Sequence, residues 1–186
     1  PQFVVKLFRV EVSEINDGTI EIKGIAREPG FRTKLAVWSS DSRVDPVGAC
    51  VGLRGQRVKN IVRELNNEKV DIIKWDRDIR TFITNALAPA KIKNFEILEA
   101  SQSVKVLVSS DQLSLAIGKR GQNARLTSKL SGWHVDIEEE KIPELGFEEK
   151  VAQAIAAVAA IPGLAQPQAD LLVHAGFLSL EDLLQA

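Results

Sequence analysis

Two short stretches hold the residue types most able to do chemistry: Gly52-Leu-Arg-Gly-Gln56 and Gly118-Lys-Arg-Gly-Gln122. Glycines at the first and fourth positions of a Gly-x-x-Gly remove two Cβ atoms, which lets a nucleic-acid backbone lie against the turn. A helix starting just after such a turn presents free N–H groups, and these favour phosphate. Arg54, Lys119 and Arg120 place positive charge where phosphates would pass. With 12 glycines in 186 residues, a lone Gly-x-x-Gly arises by chance roughly 0.8 times. The context is more specific than the motif, because both copies run on as Arg-Gly-Gln and turn chemistry does not demand that twice. A Walker-type phosphate loop is excluded, since no Gly-x-x-x-x-Gly-Lys-Ser/Thr follows a strand.

The two stretches sit inside a longer internal repeat. Residues 45–56 align without gaps on residues 111–122, with five of twelve positions identical, and Val70-Asp71-Ile72 then matches Val135-Asp136-Ile137 after a one-residue deletion. Each copy reads as helix, two strands, two helices and a closing strand. Val4, Leu7, Phe8, Val12 and Ile15 predict the first opening helix, and Ile79, Phe82, Ile83, Ala86 and Leu87 the second, stopped by Pro89. Strands are expected at 19–27, 33–38 and 70–73, and again at 95–100, 103–108 and 135–137. Asp45 and Asp111 are the expected N-caps of the short helices before the glycine turns, with Pro46 at a position that needs no N–H. Val58, Ile61, Val62 and Leu65 mark the apolar face of the helix after the first turn; Ala124, Leu126 and Leu130 mark the second more weakly.

A Gly-x-x-Gly that clamps about four nucleotides between two helices is the working part of the RNA-binding KH module. Four longer runs make the likeness specific: Ile-Ala-Arg-Glu-Pro-Gly (25–30), Arg-Thr-Lys-Leu-Ala-Val (32–37), Asp-Pro-Val-Gly-Ala-Cys-Val-Gly (45–52) and Ile-Gly-Lys-Arg-Gly-Gln-Asn-Ala-Arg-Leu (117–126). Over roughly residues 1–140 the sequence resembles the paired KH domains of the NusA family of bacterial transcription factors. The resemblance implies an α+β fold of two tandem prokaryotic-type KH domains, each α-β-β-α-α-β. It also implies single-stranded nascent RNA as ligand, RNA polymerase as partner of the full-length protein, a role in pausing, termination and antitermination, and a cytoplasmic setting. The RNA contacts it implies are Gly52, Leu53, Arg54, Gly55, Gly118, Lys119, Arg120 and Gly121. Leu53 interrupts the polar loop, so the first turn should hold phosphate less strongly than the second. The family's polymerase-binding and OB-type domains would precede this chain, and with no Met anywhere the chain is expected to be an excised fragment.

Domains are expected at 1–76 and 77–140, a linker at 141–149, and an acidic helical module at 150–186. In the last, Ile161-Pro-Gly-Leu164 turns the chain, Gly176 caps a helix and Ser179 caps another. The module resembles a helix-hairpin-helix unit, and three short helices are few to stabilise themselves alone.

Charge supports this division. The formal net charge is only −1, yet residues 1–137 carry +6 and residues 138–186 carry −7. A basic body suits nucleic acid; an acidic tail suits a protein partner or an intramolecular contact with the KH pair. No apolar run is long enough to span a membrane. The single Cys50 rules out an internal disulfide, and it matches Ala116 of the other copy, as a packed thiol would. His134 and His174 lack paired carboxylates at recognisable spacing. No catalytic, metal or cofactor constellation is present, so no enzyme is expected.

Flanking residues extend the candidate surface. Arg57, Lys59, Asn123 and Arg125 open the helices after the turns and could lengthen a phosphate track, or form a solvated helix face; Gln56 and Gln122 could reach a base edge, or cap the helix. Arg27, Arg32 and Lys34 are expected on a solvent-facing hairpin, and Trp38, Trp75 and Trp133 in boundary packing. A KH protein of ribosome assembly, or a scaffold using the repeat for protein contacts, would share much of this pattern. Families of the former kind generally lack the tandem duplication, and a scaffold has no need of Arg54 and Arg120.

Overall fold

The computed structural model describes residues 1–140, 147–160 and 166–175, and the chain divides into two compact units, Pro1–Glu140 and Lys141–Ala186. The first unit contains the α-β-β-α-α-β order twice. The first copy comprises α1 (Gln2–Glu11), α2 (Ser13–Asn16), β1 (Ile20–Glu28), β2 (Arg32–Ser39), α3 (Pro46–Val51), α4 (Gln56–Glu64) and β3 (Lys69–Lys74). The second comprises α5 (Ile79–Leu87), β4 (Ile92–Leu98), β5 (Ser103–Val108), α6 (Ser110–Ile117), α7 (Gln122–Ser131) and β6 (His134–Glu139). In each three-stranded sheet the hairpin is antiparallel and the closing strand runs parallel to its middle strand.

Two local expectations need correction. The first opening helix is not continuous: it breaks at Val12 (φ −120°, ψ 99°) and restarts as a four-residue turn. The β-branched Val10 and Val12 favour helix weakly. The break buries both Val12 and Ile15 while presenting Glu14 to Arg57, 3.0 Å away. The second correction concerns caps. Asp45 caps α3, accepting from the N–H groups of Val47 and Gly48 with Pro46 at the first helical position, whereas Asp111 lies inside the first turn of α6, which starts after Ser109. Without a proline to fix the start, Ser110 joins the helix, and Asp111 acts on its dipole instead.

The two sheets are buried differently, and this explains their sequences. One face of β1-β2-β3 covers a core built around Val4, Phe8, Ile20, Leu35, Val37, Cys50 and Ile61. Its other face meets the second copy, where Ala36 and Ile73 pack with Phe82, Ala86, Trp75 and Leu130. With both faces covered, β2 is buried at five consecutive residues, Thr33–Val37. At Gly24, beside a β-bulge, a Cβ would stand 3.4 Å from the Leu130 side chain, so α7 lies almost directly on the strand. The sheet β4-β5-β6 covers only its own core, around Ile83, Leu87, Val104, Val106, Val108 and Ala116. Its β5 alternates between buried and half-buried positions, and Lys105 on the open face pairs with Glu138 at 3.3 Å and Glu96 at 3.9 Å.

Glu138 and Glu139 extend the closing strand beyond its expected end at residue 137. With Glu138–Glu140 counted in the first unit, residues 1–140 carry +3 and residues 141–186 carry −4, a milder asymmetry than a division at residue 137 gives.

The hairpin cations also differ from expectation. Arg27 and Arg32 pair with Glu68 and Asp71, at 2.8 and 2.6 Å. Lys34 is buried, donating to the Ala86 carbonyl of the second copy at 2.6 Å and facing Asp71 at 3.3 Å. Its ammonium is needed there because the last carbonyls of α5 lack helical partners. Burial holds the Lys34 ammonium below the usual lysine range, against the pull of Asp71. Glu68, which also accepts from Thr33 Oγ1 and the Gly30 N–H, completes a buried network under the hairpin.

In the second unit, α8 (Phe147–Ala159) and α9 (Gln166–His174) bury Val158, Ala169 and Val173 between them. On the other side of α8, Ala152, Ala156 and Ala157 are exposed. The expected turn at 161–164, the Gly176 cap and the Ser179-capped helix lie outside the described residues. No helix among the described residues is long and apolar enough to cross a membrane.

Candidate nucleic-acid interface

The two glycine turns have almost the same backbone. Gly52 and Gly118 both have φ 75°, with ψ 173° and 171°. Arg54 and Arg120 both have φ 53°, and Gly55 and Gly121 have φ 75° and 71°. Each first glycine donates to a carbonyl in the last turn of the preceding helix (Gly48 O at 2.9 Å, Ser114 O at 3.0 Å), and each second glycine donates to the first at 3.0 Å.

The two glycines of each turn serve different purposes. A φ near 75° with ψ near 170° is open essentially only to glycine. A Cβ at Gly52 would also stand 2.7 Å from Arg57 Cγ, and one at Gly118 would stand 2.7 Å from Asn123 Cβ and 3.0 Å from its backbone nitrogen. The first glycine thus lets the following helix close against the preceding one. Around the second glycine nothing lies nearer than 3.8 Å, which leaves open space beside the turn. The residue between them is a left-handed arginine, a conformation costing a non-glycine residue about 1 kcal/mol or more.

Side chains repeat as well, and they bind the turn itself. Five residues after the first glycine, Arg57 Nη1 donates to Ala49 O at 2.7 Å and Asn123 Nδ2 to Ala116 O at 3.0 Å, tying each new helix to the end of the old one. Two residues further on, Lys59 Nζ reaches Arg54 O at 3.2 Å and Arg125 Nη1 reaches Arg120 O at 3.1 Å. Both strained arginines therefore have their carbonyls held from below.

This sorts the predicted contacts into two groups. Leu53, Arg54, Lys119 and Arg120 are exposed, and the Arg54, Lys119 and Arg120 side chains have no ion-pair or hydrogen-bond partner among the described residues. Gly52, Gly55, Gly118 and Gly121 are half-buried with them. Gln56 is exposed and bonded to Asn60 at 3.1 Å. Arg57 is spent on Glu14 and Ala49, and Asn123 is buried. Gln122 and Arg125 both donate to Glu28, at 2.8 and 2.6 Å.

Sequence reasoning missed Glu28. It sits at the end of β1 in the first copy, 97 residues from Arg125, and nothing in local spacing joins the two. Hydrogen bonds from Arg125 and Gln122 hold its carboxyl down at about 2. The second turn is thus braced by the hairpin of the first copy, while the first turn is braced within its own copy by Glu14. Beside the braced second turn is a cleft of about 280 Å³, lined by Glu28, Phe31, Lys119, Arg120, Gln122 and Arg125.

Other candidates stand apart from the turns. Lys23 Nζ lies over the rings of Trp38 (4.6 Å) and Trp75 (5.5 Å), and Trp133 packs against the second core, so all three tryptophans are half-buried boundary residues. Cys50 is fully buried, and burial pushes its thiol up to about 12. His134 is exposed; His174 stands 3.6 Å from Asp170.

Comparison with known proteins agrees with this geometry. The NusA-like first KH domain matches residues 1–75, and the NusA-like second KH domain matches residues 79–144. The chain is 50% identical over 153 residues to the transcription termination/antitermination protein NusA of Halalkalibacterium halodurans, covering 82% of this chain and 40% of that protein. It is 52% identical over 140 residues to the protein of that name in Bacillus subtilis, covering 75% of this chain and 38% of the relative. For the protein of that name in Rickettsia conorii the values are 44% over 185 residues, 98% and 37%. The chain thus spans about two fifths of the length of these relatives. Among solved structures, the crystal structure of APE1850 shares the fold, with a TM-score of 0.54 at 22% identity, over 72% of this chain and 96% of that one. By its two matched KH domains, which together take in most of the chain, this protein belongs to the NusA family.

Proposed function

We propose that the paired glycine turns bind single-stranded RNA through its phosphate backbone, as part of a transcription factor acting in termination and antitermination. The observation that carries this reading is the repeated turn: two nearly identical backbones, each with an exposed arginine unpartnered among the described residues, open space at the second glycine and helix N–H groups without a side-chain cap. The contacts are Gly52, Leu53, Arg54, Gly55 and Gln56 in the first turn, and Gly118, Lys119, Arg120 and Gly121 in the second. Arg57, Gln122, Asn123 and Arg125 act behind them, holding the turns in shape. A strand engaging both turns gains avidity without new contacts.

The remaining assignments rest on the family. RNA polymerase is the partner of the longer protein and nascent RNA the ligand, in the cytoplasm and without catalysis. The KH domains divide at residues 76/77, and the acidic module, whose first helix starts at Phe147 inside the expected linker 141–149, carries −4 from there and meets protein rather than RNA.

The test is a titration of the whole chain with short single-stranded RNAs at several salt concentrations. Each phosphate contact on a single strand contributes a slope of about −0.7 in log K against log salt. Lys119→Glu with Arg120→Glu should weaken binding at least about tenfold and flatten the slope by about 1.4. Unchanged affinity and slope would reject the reading.

A further inference from the structure

Phe31 is an unusual residue for a hairpin tip. It is 70% exposed, on a turn that is otherwise tied down on every side. Its N–H donates to Glu28 O at 3.0 Å, its carbonyl accepts from the Lys69 N–H at 3.1 Å, and the Gly30 N–H beside it donates to the buried Glu68 at 2.8 Å. An aromatic ring is therefore displayed to solvent on a braced backbone, where little ordering remains to be done on binding.

The ring lines the same cleft as Lys119 and Arg120 of the second turn. Those two cations are exposed and have no ion-pair partner among the described residues, whereas the cleft's other cation, Arg125, is neutralised by Glu28. The cleft thus offers both unspent positive charge and an apolar π-face. At about 280 Å³ it is slightly smaller than the clefts that take drug-sized ligands, about 300–1,000 Å³. That combination, phosphate-binding charge beside an aromatic platform, is how single-stranded nucleic acid is held by stacking.

We propose that Phe31 of the first domain and Lys119 and Arg120 of the second form one composite subsite for a single unpaired RNA base, stacked on the phenyl ring while its phosphate lies against the two cations. The inference rests on the RNA-binding reading above and adds a base-stacking residue from outside the second domain. It also gives the Glu28 bridge a purpose, since the bridge fixes the hairpin that carries Phe31 to the helix that follows the second turn. In the first domain Leu53 offers no aromatic face, so stacking of this kind belongs to the second turn alone.

The experiment uses the whole chain and a short single-stranded RNA in which 2-aminopurine replaces each base in turn, its fluorescence being quenched by stacking. The wild-type chain should quench strongly at one position. Phe31→Tyr should keep that quenching, and Phe31→Ala should remove it and weaken binding about fivefold or more, with an unchanged thermal melt because the side chain is exposed. If Phe31→Ala keeps the wild-type quenching pattern and affinity while Lys119→Glu with Arg120→Glu weakens binding at least tenfold, the RNA reading stands and the subsite is wrong. The ring would then belong to a protein contact. If the wild-type chain binds no RNA at any salt concentration, both proposals fail together.

Discussion

The two glycine turns share a backbone to within a few degrees, yet they are held from different places. The first is braced within its own domain, where Arg57 is held by Glu14. The second is braced from the other domain by Glu28. Duplication therefore preserved the turn and changed its support. The cause is the packing of the first sheet, whose second face is covered by α5 and α7, which brings a hairpin of one domain beside the working turn of the other. The second turn depends on the domain interface; the first does not.

The largest effect should come from the network present only in the first domain. Breaking a buried charge pair by removing one charge costs about 3 kcal/mol, so Glu68→Gln should lower the stability measured by urea denaturation by about that amount. Burial alone would raise the Glu68 carboxyl, but Arg27, Thr33 and the Gly30 N–H hold it at about 2. A depressed carboxylate stabilises fully above its ordinary value of 4.5 and loses that contribution as pH falls toward 2. Acid melts should therefore show a loss across that window, which Glu68→Gln should shrink, leaving the smaller share of the more exposed Glu28. A loss of the same size in the variant would place the sensitive group elsewhere.

Next comes the first glycine of each turn. Gly118→Ala should destabilise by about 2 kcal/mol, through a positive φ and a Cβ meeting the backbone of Asn123. Gly52→Ala should cost a similar amount, because the Arg57 Cβ and Cγ it meets belong to a side chain held by Glu14 and Ala49. The second glycines have room, so Gly121→Ala should cost less than Gly118→Ala. Equal melting temperatures for the two would refute the division of labour between the glycines.

Much of this was legible in the sequence, for reasons that can be named. The Gly-x-x-Gly spacing, the Asp45-Pro46 helix start and the strand expected at 33–38 are local signals, each tied to a backbone requirement. What escaped is the set of long-range partners. Lys34 reads as a surface cation until α5 lays its last carbonyls over it. Arg57, Asn123 and Arg125 suit a phosphate track by type and position, while the groups that occupy them come from the helix before each turn, from Glu14 and, for Arg125, from Glu28 of the other domain. The break at Val12 was hidden because its apolar spacing fits a continuous helix equally well.

Smaller effects probe the support itself. Glu28→Gln should cost less than about 1 kcal/mol of stability, since Arg125 is half exposed. It should nevertheless weaken RNA binding at the second turn while leaving an Arg54→Glu effect unchanged, as read by titration. Equal losses at both turns would mean that the bridge acts on the whole fold. Smallest of all, Leu53→Lys should restore polar character to the first turn, raising affinity about twofold and steepening the salt slope by about 0.7. No change in slope would mean that no phosphate passes there.

The central claim, that both turns contact RNA and the second does so more strongly, is tested most directly by amide shifts of the isotope-labelled 20.4 kDa chain during titration with short single-stranded RNA. The account predicts that residues 118–122 shift first and residues 52–56 follow at higher RNA concentration. Shifts confined to the open face of the second sheet, around Lys105 and Glu138, with both turns silent, would contradict it.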